Sequence, residues 1–245
     1  MPIPALAAAA ALAVAAHLSK RGSASIISDR MKEEIAAMVR RGDVDAARAF
    51  TEENEVDFDL SGVDLEYADL RGADLSDVDL SEARLRGANL VGAMLSGVNL
   101  SGADLSEANL EGADLRDADL EGAFGGDAIF SGASLIGANL MRAKFVGAKF
   151  TGAKLNGADL MEADLYGSIF VDAVLHGALL NGAQIQRGDF TRADLSYAEA
   201  ADVGMVNAIL VDADLGSGDF TDASFGSSDL SGANLFRANL VRASL

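Results

Sequence analysis

From residue 56 onward the chain repeats one pattern of apolar and polar positions every five residues. A large apolar residue stands at Leu60 and at every fifth position to Leu245, 38 centres in all, with no insertion that shifts the register. Leu or Phe fills 34 of them, and Gly125, Ile185, Ala200 and Met205 fill the rest. Two residues before each centre stands a small residue, usually Ala, with Phe58 and valines 63, 78, 98 and 203 its largest occupants. The residue just before the centre is mostly Asp or Asn from residue 56 to Glu121, and Gly falls two residues after the centre 17 times.

A period of five suits neither common element. On an α-helix, five residues advance about 500°, so successive centres would lie about 140° apart and no single face would form. On a flat strand an odd period sends successive centres to opposite faces. Both small and large positions stay inside only if the chain turns once per repeat, which predicts short extended pieces, tight turns and a stack of Leu and Phe within. Gly after the centre agrees, since a turn with φ > 0 is easiest for Gly. Between Arg187 and Ser227 that Gly is missing, which predicts a different turn type there. At Phe124-Gly125-Gly126 the centre is Gly, and Phe124 is expected to swing into the space left.

The successive units Ala103-Asp104-Leu105-Ser106-Glu107, Ala108-Asn109-Leu110-Glu111-Gly112 and Ala113-Asp114-Leu115-Arg116-Asp117 closely resemble the pentapeptide-repeat family, whose motif is A(D/N)LXX. The resemblance covers about three quarters of the chain. It implies an all-β solenoid, a right-handed quadrilateral β-helix with four repeats per coil. Residues 56–245 would then make about 9.5 coils and a rod roughly 45 Å long.

Upstream the pattern changes. Residues 1–28 read as an apolar leader and 29–55 as a helical N-terminal cap. The Ala-rich stretch 3–18 carries three readings: a signal peptide without a preceding basic residue, a membrane anchor, or the bland one, a disordered leader or else a translation start that lies at Met31. A membrane association follows only if 3–18 anchors; otherwise the protein is expected in the cytoplasm, with export as the other outcome. Residues 29–41 predict a helix capped by Ser28 or Asp29 and ended by Gly42, with Met31, Ile35, Met38 and Val39 as its apolar stripe. Asp43 is placed to cap a second helix over about 44–53, with Val44, Ala47 and Phe50 on one side. The pair is expected to cover the first coil, whose edges are otherwise open. No helix or polar segment follows the last coil in the sequence, which raises the expectation of a homodimer through that uncapped C-terminal coil.

The net charge of −19 argues against direct nucleic-acid binding. It is uneven: residues 55–122 carry 4 basic and 17 acidic residues, whereas 123–185 carry 4 and 5. With no Cys and two distant histidines, His17 and His176, no zinc site or Cys–His pair is expected, and no Ser-His-Asp set is legible. The stretch Gly122–Gly126 lacks the Lys-Ser/Thr of a phosphate loop. The sequence therefore points to no enzyme, no cofactor and no metal.

Two functions remain. One is a rigid scaffold or adaptor for a protein partner that the sequence does not name. Its candidate contacts are Met141, Val146, Met161, Tyr166, Ile169, Val174 and Leu179, nominally outward positions near the basic residues Lys144, Lys149 and Lys154. The other rests on the resemblance: some pentapeptide-repeat proteins mimic DNA and bind DNA gyrase. Here the acidic candidates are Asp59, Asp64, Asp69, Asp74 and Asp79.

Overall fold

The computed structural model describes residues 24–245. The apolar stretch 3–18 and His17 lie outside the described residues. Helix α1 (Ala24–Arg40) begins upstream of the expected start, so the expected caps Ser28 and Asp29 lie within it. Gly42, at φ +80°, ends it as expected. Helix α2 (Val44–Asn54) follows, with Val44, Ala47 and Phe50 buried. Asp43 stands at its N-cap, but its side chain makes no capping hydrogen bond; the carboxylate lies 3.6 Å from Arg41. The buried Ile35 and Val39 and the half-buried Met31 and Met38 of α1 join the same apolar core as the first Leu centres.

The repeats wind into a β-helix solenoid. Every bridge is parallel and joins residues twenty apart, from Asp59–Asp79 to Ser224–Ser244. Four repeats therefore return the chain to the same side, one layer up. The backbone account of one repeat explains the motif. The Ala103 N–H closes a turn onto the Leu100 carbonyl at 3.0 Å, the Asp104 N–H reaches down to Ala83 at 2.9 Å, and Leu105 and Glu107 reach up to Phe124 and Gly126 at 2.6 and 2.8 Å. The fifth donor, Ser106 N–H, goes to Asp104 Oδ1 at 2.9 Å. All five N–H groups are paired, and the fifth needs a short side-chain acceptor two residues back, which is what Asp or Asn supplies.

The turn conformation is uniform. Each corner from residue 62 to 242 has φ > 0 two residues after the centre, at 62–73° for seventeen glycines and 55–62° for twenty other residues. Positive φ at the third turn residue is the type II signature. The expected change of turn type between Arg187 and Ser227 is therefore absent: Arg187, Tyr197 and Asp212 hold φ 60°, 58° and 55°. The inter-coil hydrogen bonds impose the same corner on whatever residue stands there.

The interior is continuous. Phe130, Phe150, Phe170 and Phe190 stack one per coil, at centroid distances of 4.9, 4.7 and 4.7 Å with planes within 7° of parallel. That spacing is the strand-to-strand distance of a sheet, so the ladder forms without stretching the backbone bonds. At Gly125 the expectation fails. Phe124 stays outside, 44 % exposed, under the Lys144 ammonium 5.0 Å from its centroid. The gap is filled from the next coil: a Cβ on Gly125 would collide with the Phe145 ring.

Candidate interaction surface

The outward Asp and Asn residues belong to the backbone account. In all 21 repeats with Asp or Asn before the centre, its side-chain oxygen accepts the N–H two residues on. Four Asn side chains also donate to the Asp one coil below: Asn99 to Asp79, Asn139 to Asp119, Asn234 to Asp214 and Asn239 to Asp219.

This accounting separates the five acidic candidates from one another. Asp59, Asp64, Asp69 and Asp74 occupy the four successive sides of one coil, and Asp79 returns to the side of Asp59. They encircle the rod and do not run along it. Four of them meet a cation: Asp59 with Lys32 at 3.1 Å, Asp64 with Arg84 at 3.4 Å, Asp69 with Arg71 at 2.6 Å and Asp74 with Arg48 at 3.7 Å. Asp79 accepts from Asn99 Nδ2 at 3.2 Å. At Asp59, partial burial pushes the carboxyl up, but the Ser61 N–H and hydroxyl and the Lys32 ammonium together hold it below the usual range. The Arg71 guanidinium chiefly lowers Asp69, and the Ser76 N–H and hydroxyl chiefly lower Asp74.

The apolar candidates divide. Met141 and Met161 lie one above the other at one corner, as do Val146 and Tyr166 at the next, and both corners border the side that carries Phe124 and Lys144. Val146 and Tyr166 are exposed, and Arg187 stands 5.8 Å from the Tyr166 ring centroid. Ile169, Val174 and Leu179 are half-buried and stand on the three remaining sides. In the last coil, centre Leu235 is 36 % and Leu245 78 % exposed.

Sequence reasoning missed how widely the middle coils lack the Asp or Asn before the centre, and what that residue does. Among the thirteen bridge positions from Asp59 to Asp119, eleven are Asp or Asn. Among the thirteen from Phe124 to Gln184 only Asn139, Asp159 and Asp164 are, and among the twelve from Asp189 to Ser244 seven are. The signal is visible in the sequence, but only once the structure shows what the Asp does. The interior is undisturbed, since the centres beneath are buried throughout the same stretch. The middle coils have thus given up turn caps while keeping the core.

Candidate chemistry is sparse. His176 Nδ1 lies 2.9 Å from Ser196 Oγ, which donates to Asp194 Oδ1 at 2.5 Å. Three residue types of a hydrolytic triad do meet across two coils, contrary to the sequence reading, but in the wrong order: the carboxylate holds the serine, not the imidazole. A cleft of about 560 Å³ between the α1–α2 turn and the first coils is lined by Asp43, Asp45, Asp69, Arg71, Asp74 and Met94 among others, with no nucleophile beside a base. Among the described residues no cluster of His, Cys, Asp or Glu is placed to hold a metal ion. No helix among them is long and apolar enough to cross a membrane.

The repeat is shared with known proteins. The Pentapeptide repeats family matches in eight copies over residues 59–97, 93–124, 126–157, 158–196 and 207–245, well over half of the chain. HetL, a pentapeptide repeat protein involved in heterocyst differentiation regulation from the cyanobacterium Nostoc sp. strain PCC 7120, is 36% identical. The match covers 76% of this chain and 84% of HetL, with a TM-score of 0.43. Rfr23, from the cyanobacterium Cyanothece 51142, is 34% identical over 37% of this chain and 62% of its own, with a TM-score of 0.36. A trypsin-treated form of QnrB1, a plasmid-mediated fluoroquinolone resistance protein, is 18% identical over 69% of this chain and 81% of its own, with a TM-score of 0.38. No curated protein matches the chain. The chain belongs to the pentapeptide-repeat family.

Proposed function

We propose that the protein is a non-enzymatic scaffold, a right-handed four-sided β-helix of about 9.5 coils that presents the outside of its middle coils to a protein partner. Helices α1 and α2 serve it as an N-terminal cap. Arg40 Nε donates to the Asp64 carbonyl at 2.6 Å, and an Arg48 amino group donates to the Asp74 carbonyl at 3.1 Å. In higher coils such carbonyls accept an N–H from the coil below, so the two arginines stand in for a missing coil. The observation that carries the scaffold reading is the loss of turn caps from ten of thirteen middle repeats. A local rule abandoned in most repeats of one stretch, at a cost to stability, is the mark of a surface kept for another purpose.

The partner would meet Met141, Val146, Met161, Tyr166, Ile169, Val174 and Leu179. The test replaces Ile169, Val174 and Leu179 together by Asn. Each Asn restores a cap, so the fold is kept, and proteins captured by the wild type are lost. Equal capture by the triple variant overturns the reading.

A second reading is favoured by the net charge of −13 over residues 55–122: an acidic rod that mimics DNA and binds DNA gyrase. Here the expected result is salt-sensitive inhibition of gyrase supercoiling, lost when Asp64, Asp69, Asp74 and Asp79 become Asn. Supercoiling unaffected across the titration excludes it.

A further inference from the structure

We propose that two adjoining sides of the middle coils form a docking surface for an acidic, apolar protein segment, with Lys149 and Lys154 as its anchors. The inference rests on the scaffold reading and names the partner's chemistry. Six neighbouring turns in three layers are uncapped there. Their bridge residues are Ile129, Lys149 and Ile169 on one side and Ser134, Lys154 and Val174 on the next. The backbone N–H groups of Ser131, Thr151 and Val171, and of Ile136, Asn156 and His176, have no acceptor among the described residues, whereas their counterparts in capped repeats each meet a side-chain oxygen.

In a capped repeat a carboxylate oxygen sits about where it can receive that N–H, at 2.9 Å for Asp159 and the Met161 N–H. On these two sides the carboxylate is missing and, in the central layer, a Lys ammonium has replaced it. A carboxylate arriving from outside would take the vacant place between the ammonium and the N–H, gaining a charge-assisted hydrogen bond. Lys149 and Lys154 are both exposed. Asp172, at the corner between the two sides, is already held by Nε and an amino nitrogen of Arg192, each at 2.7 Å. The patch is therefore net positive on a chain of net charge −19. Charge complementarity selects an acidic partner and steers it to this place on the rod. Ile129, Ile136, Ile169, Val171 and Val174 frame the two lysines, which favours a protein segment with interleaved apolar side chains over a nucleic acid, whose phosphates the rest of the rod repels.

The experiment is fluorescence anisotropy with the full chain and three labelled probes: a peptide of alternating Glu and Val, one of alternating Lys and Val, and a thymidine oligonucleotide. The acidic peptide should bind, more weakly as salt rises, and the double variant Lys149→Asn/Lys154→Asn should weaken it at least about tenfold. Each Asn supplies a turn cap, so this variant should melt no lower than the wild type, which excludes misfolding as the cause. Equal affinity of wild type and variant, no binding of the acidic peptide, or tighter binding of either other probe overturns the inference. A wild type that captures a partner through Ile169, Val174 and Leu179 but ignores the acidic peptide overturns this inference alone and leaves the scaffold reading standing.

Discussion

A single outward aspartate in this chain does two jobs at once, closing a turn and carrying a charge, and the first explains why it recurs. Asp159 illustrates the turn job in isolation, since among the described residues its carboxylate accepts one hydrogen bond, from the Met161 N–H. Asp159→Ala should cost about 1 kcal/mol, the usual worth of such a bond, measured by urea unfolding. A variant as stable as the wild type would deny the cap any role. The same bonds set the response to acid. Asp74, Asp219 and Asp229 are held below the usual carboxylate range, chiefly by Ser76, Thr221 and Ser231. A carboxyl lowered on folding adds stability that is complete above its unfolded value, near 4, and is lost as pH falls through the folded value. Melting temperature should therefore be flat from neutral pH down to about 5 and fall below about 4. A melting temperature that holds or rises below pH 4 would contradict the cap account.

At the scale of the coil, what was legible in the sequence follows from local rules. The five-residue period, the inward Leu and the corner Gly were readable because each depends on one repeat and its own turn. What depended on residues twenty apart was not. Phe124 looked like the filler for Gly125, yet the filler is Phe145, the centre one coil further on. The missing Gly after Arg187 looked like a new turn type, yet the bonds to neighbouring coils hold those corners at the same φ. Two consequences can be measured. Gly125→Ala should destabilise by about 1–3 kcal/mol through its clash with the Phe145 ring. Phe145→Leu should recover part of that loss in a double-mutant cycle. Phe150→Ala, which removes a ring stacked at 4.9 and 4.7 Å on its neighbours, should cost about 3–5 kcal/mol. Additive effects at Gly125 and Phe145 would show that the two do not share the space.

For the whole molecule, the register of twenty decides which outward residues can act together. The acidic candidates, one from each of five successive repeats, are sent to four different sides, and the apolar candidates are divided between the corners of one side and the other three sides. A list of outward residues was therefore readable, but their grouping was not, because the grouping appears only when coils are stacked. The coils do show that the middle of the rod keeps its interior while its outer positions abandon the turn chemistry that serves folding elsewhere. If this exterior is kept for binding at the expense of stability, capping it must separate the two. Urea unfolding of Ile169→Asn/Val174→Asn/Leu179→Asn beside its partner capture decides the point. Each new Asn gains a turn cap, and the amide introduced by Leu179→Asn would also reach Asp159 as Asn139 reaches Asp119. The variant should gain about 1–3 kcal/mol over the three sites and lose the partner. A variant that is less stable than the wild type, or that is stabilised and still captures the partner, would contradict it.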